Sequence, residues 1–138
     1  MRQRAIARGL RLNEYGLFRS AEETRDPKLR VACVEADAGW APHFMYRMDH
    51  AYKRHRYWMK CAEMKKLPSE YFKEHIYMTF QDDWVAFATA NMVNTKRLMW
   101  ANDFPHSDST WPWSKDVIAE QTAHLSLELK KRILRDNV

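Results

Sequence analysis

Three short apolar runs alternate along this chain with stretches of helical period, and that alternation restricts the fold more than any other feature. The runs are Leu29-Arg-Val-Ala-Cys-Val-Glu, Glu74-His-Ile-Tyr-Met-Thr-Phe and Leu98-Met-Trp-Ala. The first ends in a carboxylate and the third runs straight into Asn102-Asp-Phe-Pro-His. Strands covered on both faces read as near-continuous apolar runs, so the Leu29 run is expected to be a buried parallel strand. From Trp40 to Ala62 the period becomes helical, with Phe44, Met48, Ala51, Tyr52, His55 and Met59 on one side. Arg47, Asp49, Lys53 and Arg54 mostly take the other. Pro68-Ser-Glu predicts a short helical turn capped by Ser69, and Asp82-Asp83 are helix-starting acids placed where the helix dipole favours negative charge. After a polar loop from Ser107 to Pro112, Ser114 is the expected cap of a final helical stretch through Leu134, with a break near Leu125-Ser126. Strand, helix, strand, helix, strand, helix is the order of a parallel α/β sheet. Three such units do not close a barrel, and their open edges predict self-association.

Composition excludes several functions. The chain has 138 residues, 46% of them hydrophobic, with 6 Trp, 6 Tyr and 6 Phe, enough for a packed core. Its three glycines, at 9, 16 and 39, cannot assemble a Gly-rich phosphate loop. Cys33 and Cys61 form no C-x-x-C pair and no disulfide framework, which points to reduced thiols in a cytoplasmic protein. No apolar run approaches the roughly 18 residues a membrane span requires. The net charge of +5 is uneven: residues 1–30 hold eight Lys/Arg against four Asp/Glu, and Lys53-Arg54-His55-Arg56 forms a second basic cluster. From sequence these read as solvated helix faces, because no recognisable module interleaves them with exposed aromatics, and nucleic-acid binding is not expected.

Two strand ends carry the chemistry: Val34-Glu35-Ala36-Asp37-Ala38-Gly39-Trp40-Ala41-Pro42 and Trp100-Ala101-Asn102-Asp103-Phe104-Pro105-His106. A carboxylate at the C-terminal end of a barrel strand points into the active-site mouth, where it can ligate a metal or accept a proton from water. Taken alone, Asp103 in an N-D-x-P loop reads rather as an Asx-turn residue. Glu35 can act as a general acid or pair with an arginine such as Arg47. Asp37 and His43 read as loop and helix-cap residues. His106 is a candidate substrate contact or an ordinary hydrogen-bonding loop histidine.

Together the two strand ends resemble the amidohydrolase-related family of metal-dependent hydrolases and decarboxylases. The resemblance extends through Pro27-Lys28-Leu29-Arg30, the helix Trp40 to Arg56, Pro68-Ser69-Glu70-Tyr71-Phe72 and the terminal Lys131-Arg132-Ile133-Leu134-Arg135-Asp136-Asn137, about residues 26–138 in all. It implies the C-terminal portion, about strands six to eight with their helices, of an incomplete (β/α)₈ TIM barrel. It also implies one divalent metal, commonly zinc, held by a His-x-His after strand one, a His on strand five and an Asp ending strand eight. Carried across, Asp103 is that metal ligand and candidate base. Glu35 stands where many members have a strand-six histidine and becomes the candidate acid, while His106 and Trp40 become candidate substrate contacts. The implied activity is hydrolysis or decarboxylation of a small carboxylate or cyclic substrate through a metal-activated water.

The chain contains no His-x-His, so Asp103 stands alone as a family ligand, and no activity is expected from these residues by themselves. His43, His50 and His55 share one expected helix, but their spacings of seven and five bring at most the first two near one face. Residues 1–25 fall outside the resemblance and read as an appendage: a basic helix-like stretch over 2–9, a stop at Gly9, one short strand using Leu10, Leu12 and Phe18, then a polar tail. Residues 4–18 resemble a short stretch of bacterial family X DNA polymerases without any of the carboxylates that bind catalytic magnesium. Two further readings stand beside the enzyme segment: a small basic nucleic-acid-binding module, and a structural remnant that pairs its open sheet with a fuller barrel.

Overall fold

The computed structural model describes the two strands 10–13 and 16–19 and residues 29–138. The stretch 2–9 and the polar tail over 20–27 lie outside the described residues. Strands β1 (Leu10–Asn13) and β2 (Gly16–Arg19) pair antiparallel, with Leu10 opposite Arg19 and Asn13 opposite Gly16. The sequence predicts one strand here and the structure has two. Asn13 and Gly16, residue types common at turns, end one strand and begin the other.

The remaining strands form a parallel sheet in the order β3 (Val31–Cys33), β4 (Ile76–Phe80), β5 (Leu98–Trp100). Val31 faces Ile76 and Cys33 faces Met78, while Met78 faces Leu98 and Phe80 faces Trp100. The central strand carries the core. Successive side chains of a strand alternate in direction, so Met78 and Phe80 share a face, and both are buried. Phe80 meets Phe87 edge to face at 5.0 Å between ring centroids. Ala38, Ala41, Ala86, Ala90, Leu98 and Ile133 complete the cluster. The small residues let the strand ends and helix starts approach closely.

The expected burial of the first strand is not observed: Val31 is 43% and Val34 59% exposed. Among the described residues β3 has a single neighbour, β4, so it is an edge.

Helix α1 (Ala41–His55) has Pro42 in its first turn, where a missing N–H costs nothing, and buries Ala41 and Met45. The sequence reading places Phe44 on the buried side, but Phe44 is exposed. Anchoring through Ala41 and Met45, one turn apart, shifts the buried face by one residue. The helix also ends at His55, short of Ala62, and the chain continues in turns that place Lys60 at φ 54°.

Helix α2 (Pro68–His75) starts differently from the expectation: the Leu67 N–H donates to the Glu70 carboxylate at 2.8 Å. Ser69 is no cap. Its N–H and hydroxyl donate to Asp49 of α1 at 2.9 and 2.7 Å, tying the two helices together. The strand predicted from Glu74 begins at Ile76 because the helix keeps Glu74 and His75.

Helix α3 (Trp84–Ala88) starts on its acids as expected, with Asp83 accepting from the Ala86 N–H at 3.0 Å. Two 3₁₀ turns, Ala90–Met92 and Thr95–Arg97, lead into β5. Helix α4 (Ser114–Gln121) contains Ser114 rather than being capped by it, since the Ser114 hydroxyl is engaged with that of Thr110 at 2.8 Å. The predicted break is present: Ser126 Oγ accepts from the Leu129 N–H and starts α5 (Leu127–Lys131). A π-helical turn over Arg132–Asp136 then buries Ile133 beneath the sheet. No described helix is long and apolar enough to cross a membrane.

Candidate metal and catalytic site

Carboxylates and backbone carbonyls gather at the C-terminal ends of parallel strands, where the chain must turn sharply toward the next helix. The turn after β3 uses left-handed backbone at Glu35 (φ 56°) and Asp37 (φ 54°), and the turn after β5 uses it at Asp103 (φ 59°). Aspartate tolerates this region moderately. A glutamate there is uncommon, and such strain concentrates at functional sites.

Each turn is fixed by hydrogen bonds. The Glu35 N–H donates to Thr79 Oγ1 on β4 at 3.1 Å. The N–H groups of Ala38 and Gly39 converge on Asp83 Oδ2 at 2.9 and 2.7 Å, so one buried carboxylate holds the β3 turn and starts α3. After β5, the Ala101 N–H continues the sheet pairing to the Phe80 carbonyl at 3.0 Å. The Asn102 carbonyl accepts from the Thr110 N–H and from Ser109 Oγ, at 3.1 and 2.7 Å, closing the loop.

Asn102, not Asp103, makes the Asx turn: its Oδ1 accepts from the Phe104 N–H at 3.2 Å. The Asp103 carboxylate is thereby free to meet His106, whose Nδ1 lies 3.0 Å from Asp103 Oδ1. Glu35 completes the group. One ligand atom each from Glu35, Asp103 and His106 lie within 4.8 Å of one another. Two carboxylates and an imidazole are a donor set that suits divalent cations. The Asp103 side chain is mostly buried (14% exposed), whereas that of His106 is 65% exposed and Glu35 is also exposed.

The hydrogen bond to Asp103 and its charge, with Glu35 adding a smaller attraction, raise the His106 pKa above the ordinary 6.5. Asp37 is pushed up as well, first by burial and then by the neighbouring Asp83 charge. The expected alternative of a Glu35–Arg47 ion pair is not formed among the described residues. Trp40 spends its indole N–H on the carbonyls of Ala36 and Asp37, at 2.7 and 3.1 Å, and packs edge-on against Phe44 and Phe72. Its ring thus braces the β3 turn.

His43 sits edge-on to Phe44 on α1 and is not one of the three converging residues. The spacing argument fails for the other two helix histidines: the rings of His50 and His55 are 6.3 Å apart, closer than a seven–five spacing allows on one face. Thr79, Asp83 and Asn102 were not singled out as site residues by their sequence. The acid pair at 82–83 marked a helix start, but nothing local shows that Asp83 also binds a turn some 45 positions upstream.

The family model described as amidohydrolase matches residues 24–137. Among solved structures, the chain is similar to 5-carboxyvanillate decarboxylase from Sphingomonas paucimobilis, with TM-score 0.63 and 20% identity over 80% of this chain and 32% of that one. It is also similar to 2,6-dihydroxybenzoate decarboxylase from Rhizobium, with TM-score 0.58 and 19% identity over 80% and 33%. A third similar structure is a dihydroxybenzoic acid decarboxylase from Polaromonas sp. JS666 with bound manganese and the inhibitor 2-nitroresorcinol, with TM-score 0.55 and 20% identity over 80% and 32%. The chain spans about a third of the length of these structures. At such identities the likeness shows the fold: β3, β4 and β5 with their helices are the strand-six-to-eight portion of a (β/α)₈ barrel. No curated protein matches the chain. Nothing in these comparisons supports the polymerase resemblance of residues 4–18.

Proposed function

The chain belongs to the amidohydrolase family, and we propose that it is the C-terminal segment of a metal-dependent hydrolase or decarboxylase acting on a small carboxylate or cyclic substrate. The observation that carries this reading is the convergence of Glu35, Asp103 and His106 from two strand ends onto one point. The donor set fits a divalent cation, so Asp103, with Glu35 and His106 beside it, would hold the ion. Manganese is bound in one similar structure, and zinc is the ion the sequence resemblance favours. Such an ion, when bound, supplies Lewis-acid polarisation and lowers the pKa of water toward 7.

The residues themselves do the rest. Asp103 is oriented by its turn and accepts a proton or ligates. Glu35 faces the same point and serves as acid or ligand. Asp103 holds the His106 pKa above its ordinary value, and the His106 ring faces the same point as a ligand or as a contact for a substrate carboxylate, while Trp40 holds the turn that aims Glu35. Cys33 and Cys61 are both free thiols, in keeping with a cytoplasmic setting.

Glu35 and His106 are open to solvent, so charge stabilisation here is weak compared with a water-excluded pocket. We therefore expect no turnover of a dihydroxybenzoate panel by these 138 residues alone; turnover lost in Asp103→Asn would overturn that expectation. The reading itself is tested by titrating the chain with manganese and following the free-ion electron paramagnetic signal. One ion per chain is expected, with affinity reduced at least about ten-fold in Asp103→Asn. Binding indifferent to that substitution removes Asp103 from the site.

A further inference from the structure

Four aromatic rings run along α1 and just past its end as a continuous ladder. Tyr46 lies 6.1 Å from His50, His50 lies 6.3 Å from His55, and His55 lies 5.9 Å from Trp58, centroid to centroid. At 3.6 residues per turn, Tyr46, His50 and Arg54 fall in one row, on the side of the helix turned away from the buried Ala41 and Met45. The ends of the ladder are open, Tyr46 being 62% and Trp58 78% exposed. Arg47 lies over the Tyr46 ring at 6.0 Å, and both Arg47 and Arg54 are close enough to His50 to lower its pKa, burial being the larger cause. The nearby acid is already used: Asp49 holds Ser69 of α2. His55 and Trp58 lie at the end of α1 opposite the one that follows the Glu35 turn, fifteen helical residues spanning roughly 22 Å.

We propose that this ladder is a binding surface for single-stranded nucleic acid, whose bases stack on the open Tyr46 and Trp58 rings, held in place by the half-buried His50 and His55 that meet them edge-on or tilted, while Arg47 and Arg54 meet the phosphates. Open aromatic rings beside guanidinium groups are the recurring elements of sequence-tolerant single-strand binding. The imidazoles brace the outer rings while the arginines supply the charge. A membrane-surface helix needs a broad apolar stripe opposite its basic face. Here the exposed row itself mixes histidine and arginine among the rings, which favours bases over acyl chains. The basic cluster looked like a plain solvated face in the sequence because the rings, spaced four, five and three positions apart, become neighbours only in the helix and its following turns.

The test is fluorescence anisotropy of the full chain with a labelled oligothymidylate of about twenty nucleotides, a length that exceeds the footprint of a typical single-strand site. Binding at low salt should weaken steeply as salt rises and be accompanied by tryptophan quenching. Trp58→Ala and Tyr46→Ala should each weaken it roughly ten-fold, and Arg47→Glu with Arg54→Glu should abolish it. All four positions are on the open face, and unchanged circular dichroism would confirm that the variants fold. Absence of binding at low salt overturns the proposal, as does binding that survives both ring deletions. Binding to phosphatidylserine vesicles without binding to the oligonucleotide overturns it in favour of a lipid surface.

Discussion

Three backbone N–H groups, from Ala38, Gly39 and Ala86, end on the buried carboxylate of Asp83. Removing it leaves buried donors unpaired, and hydrogen bonds to a charged group are each worth about 1.5–3 kcal/mol. Asp83→Ala should lower stability by about 3 kcal/mol, read as a fall in the urea midpoint at unchanged slope. His106 gives a second prediction at this scale. Its pKa is raised by Asp103, so the interaction is fully present below about pH 6.5, the value of a free imidazole, and is lost as pH rises through the raised value. In the metal-free chain, proton NMR should show the His106 ring titrating above the ordinary value, and Asp103→Asn should bring it back down; an unmoved titration would separate the two residues. Of these residues, Asp103 and Glu35 were singled out because each follows an apolar run in a strand end that resembles the family, whereas the N-D-x-P context of Asp103 alone pointed to a turn. The division of labour between Asn102 and Asp103 was not legible, since either side chain of an adjacent pair can close an Asx turn until the backbone angles are known.

The β3 turn and α3 are packed so closely that Gly39 has no room for a side chain: an added Cβ would lie 2.7 Å from both Asp83 Oδ1 and Val85 Cβ. Gly39→Ala should therefore cost about 1–3 kcal/mol by overpacking, and it should also loosen the turn that aims Glu35, reducing manganese affinity in the same samples. Phe87→Ala, which empties a buried site beside Phe80, should cost about 3–5 kcal/mol in the same denaturation assay. The order of strands and helices was legible from period alone, and so was the break before Leu127, because Ser126 is a good cap and interrupts the apolar pattern. Details of phase were not. Phe44 and Met45 are adjacent apolar residues, and choosing which one faces the sheet depends on where α1 is anchored, a tertiary contact with no local mark. Ser69 misled for a related reason: its hydroxyl found Asp49 on the facing helix before it could cap its own.

As a whole, the described chain presents two sheet edges, β3 and β5, and at β3 Leu29, Val31 and Val34 are exposed. Unpaired strand edges recruit other strands. We expect sedimentation of the purified chain to show species larger than one copy, and Val31→Lys to shift the population toward single chains; a sedimentation profile of single chains only would count against edge pairing. The parallel sheet was legible in the sequence, but the exposure of its first strand was not, because an apolar run looks the same whether its neighbour is present or lacking. The same sheet has a further consequence. Glu35 follows one outer strand, and Asp103 and His106 follow the other, with β4 between them. A cation gripped by all three would fasten the sheet across its width, and its binding energy would add directly to folding, by about 2.7 kcal/mol at a hundred-fold excess over the dissociation constant. Chelation would then thin the folded population, and the abundance of this chain in a cell would rise and fall with the supply of the ion.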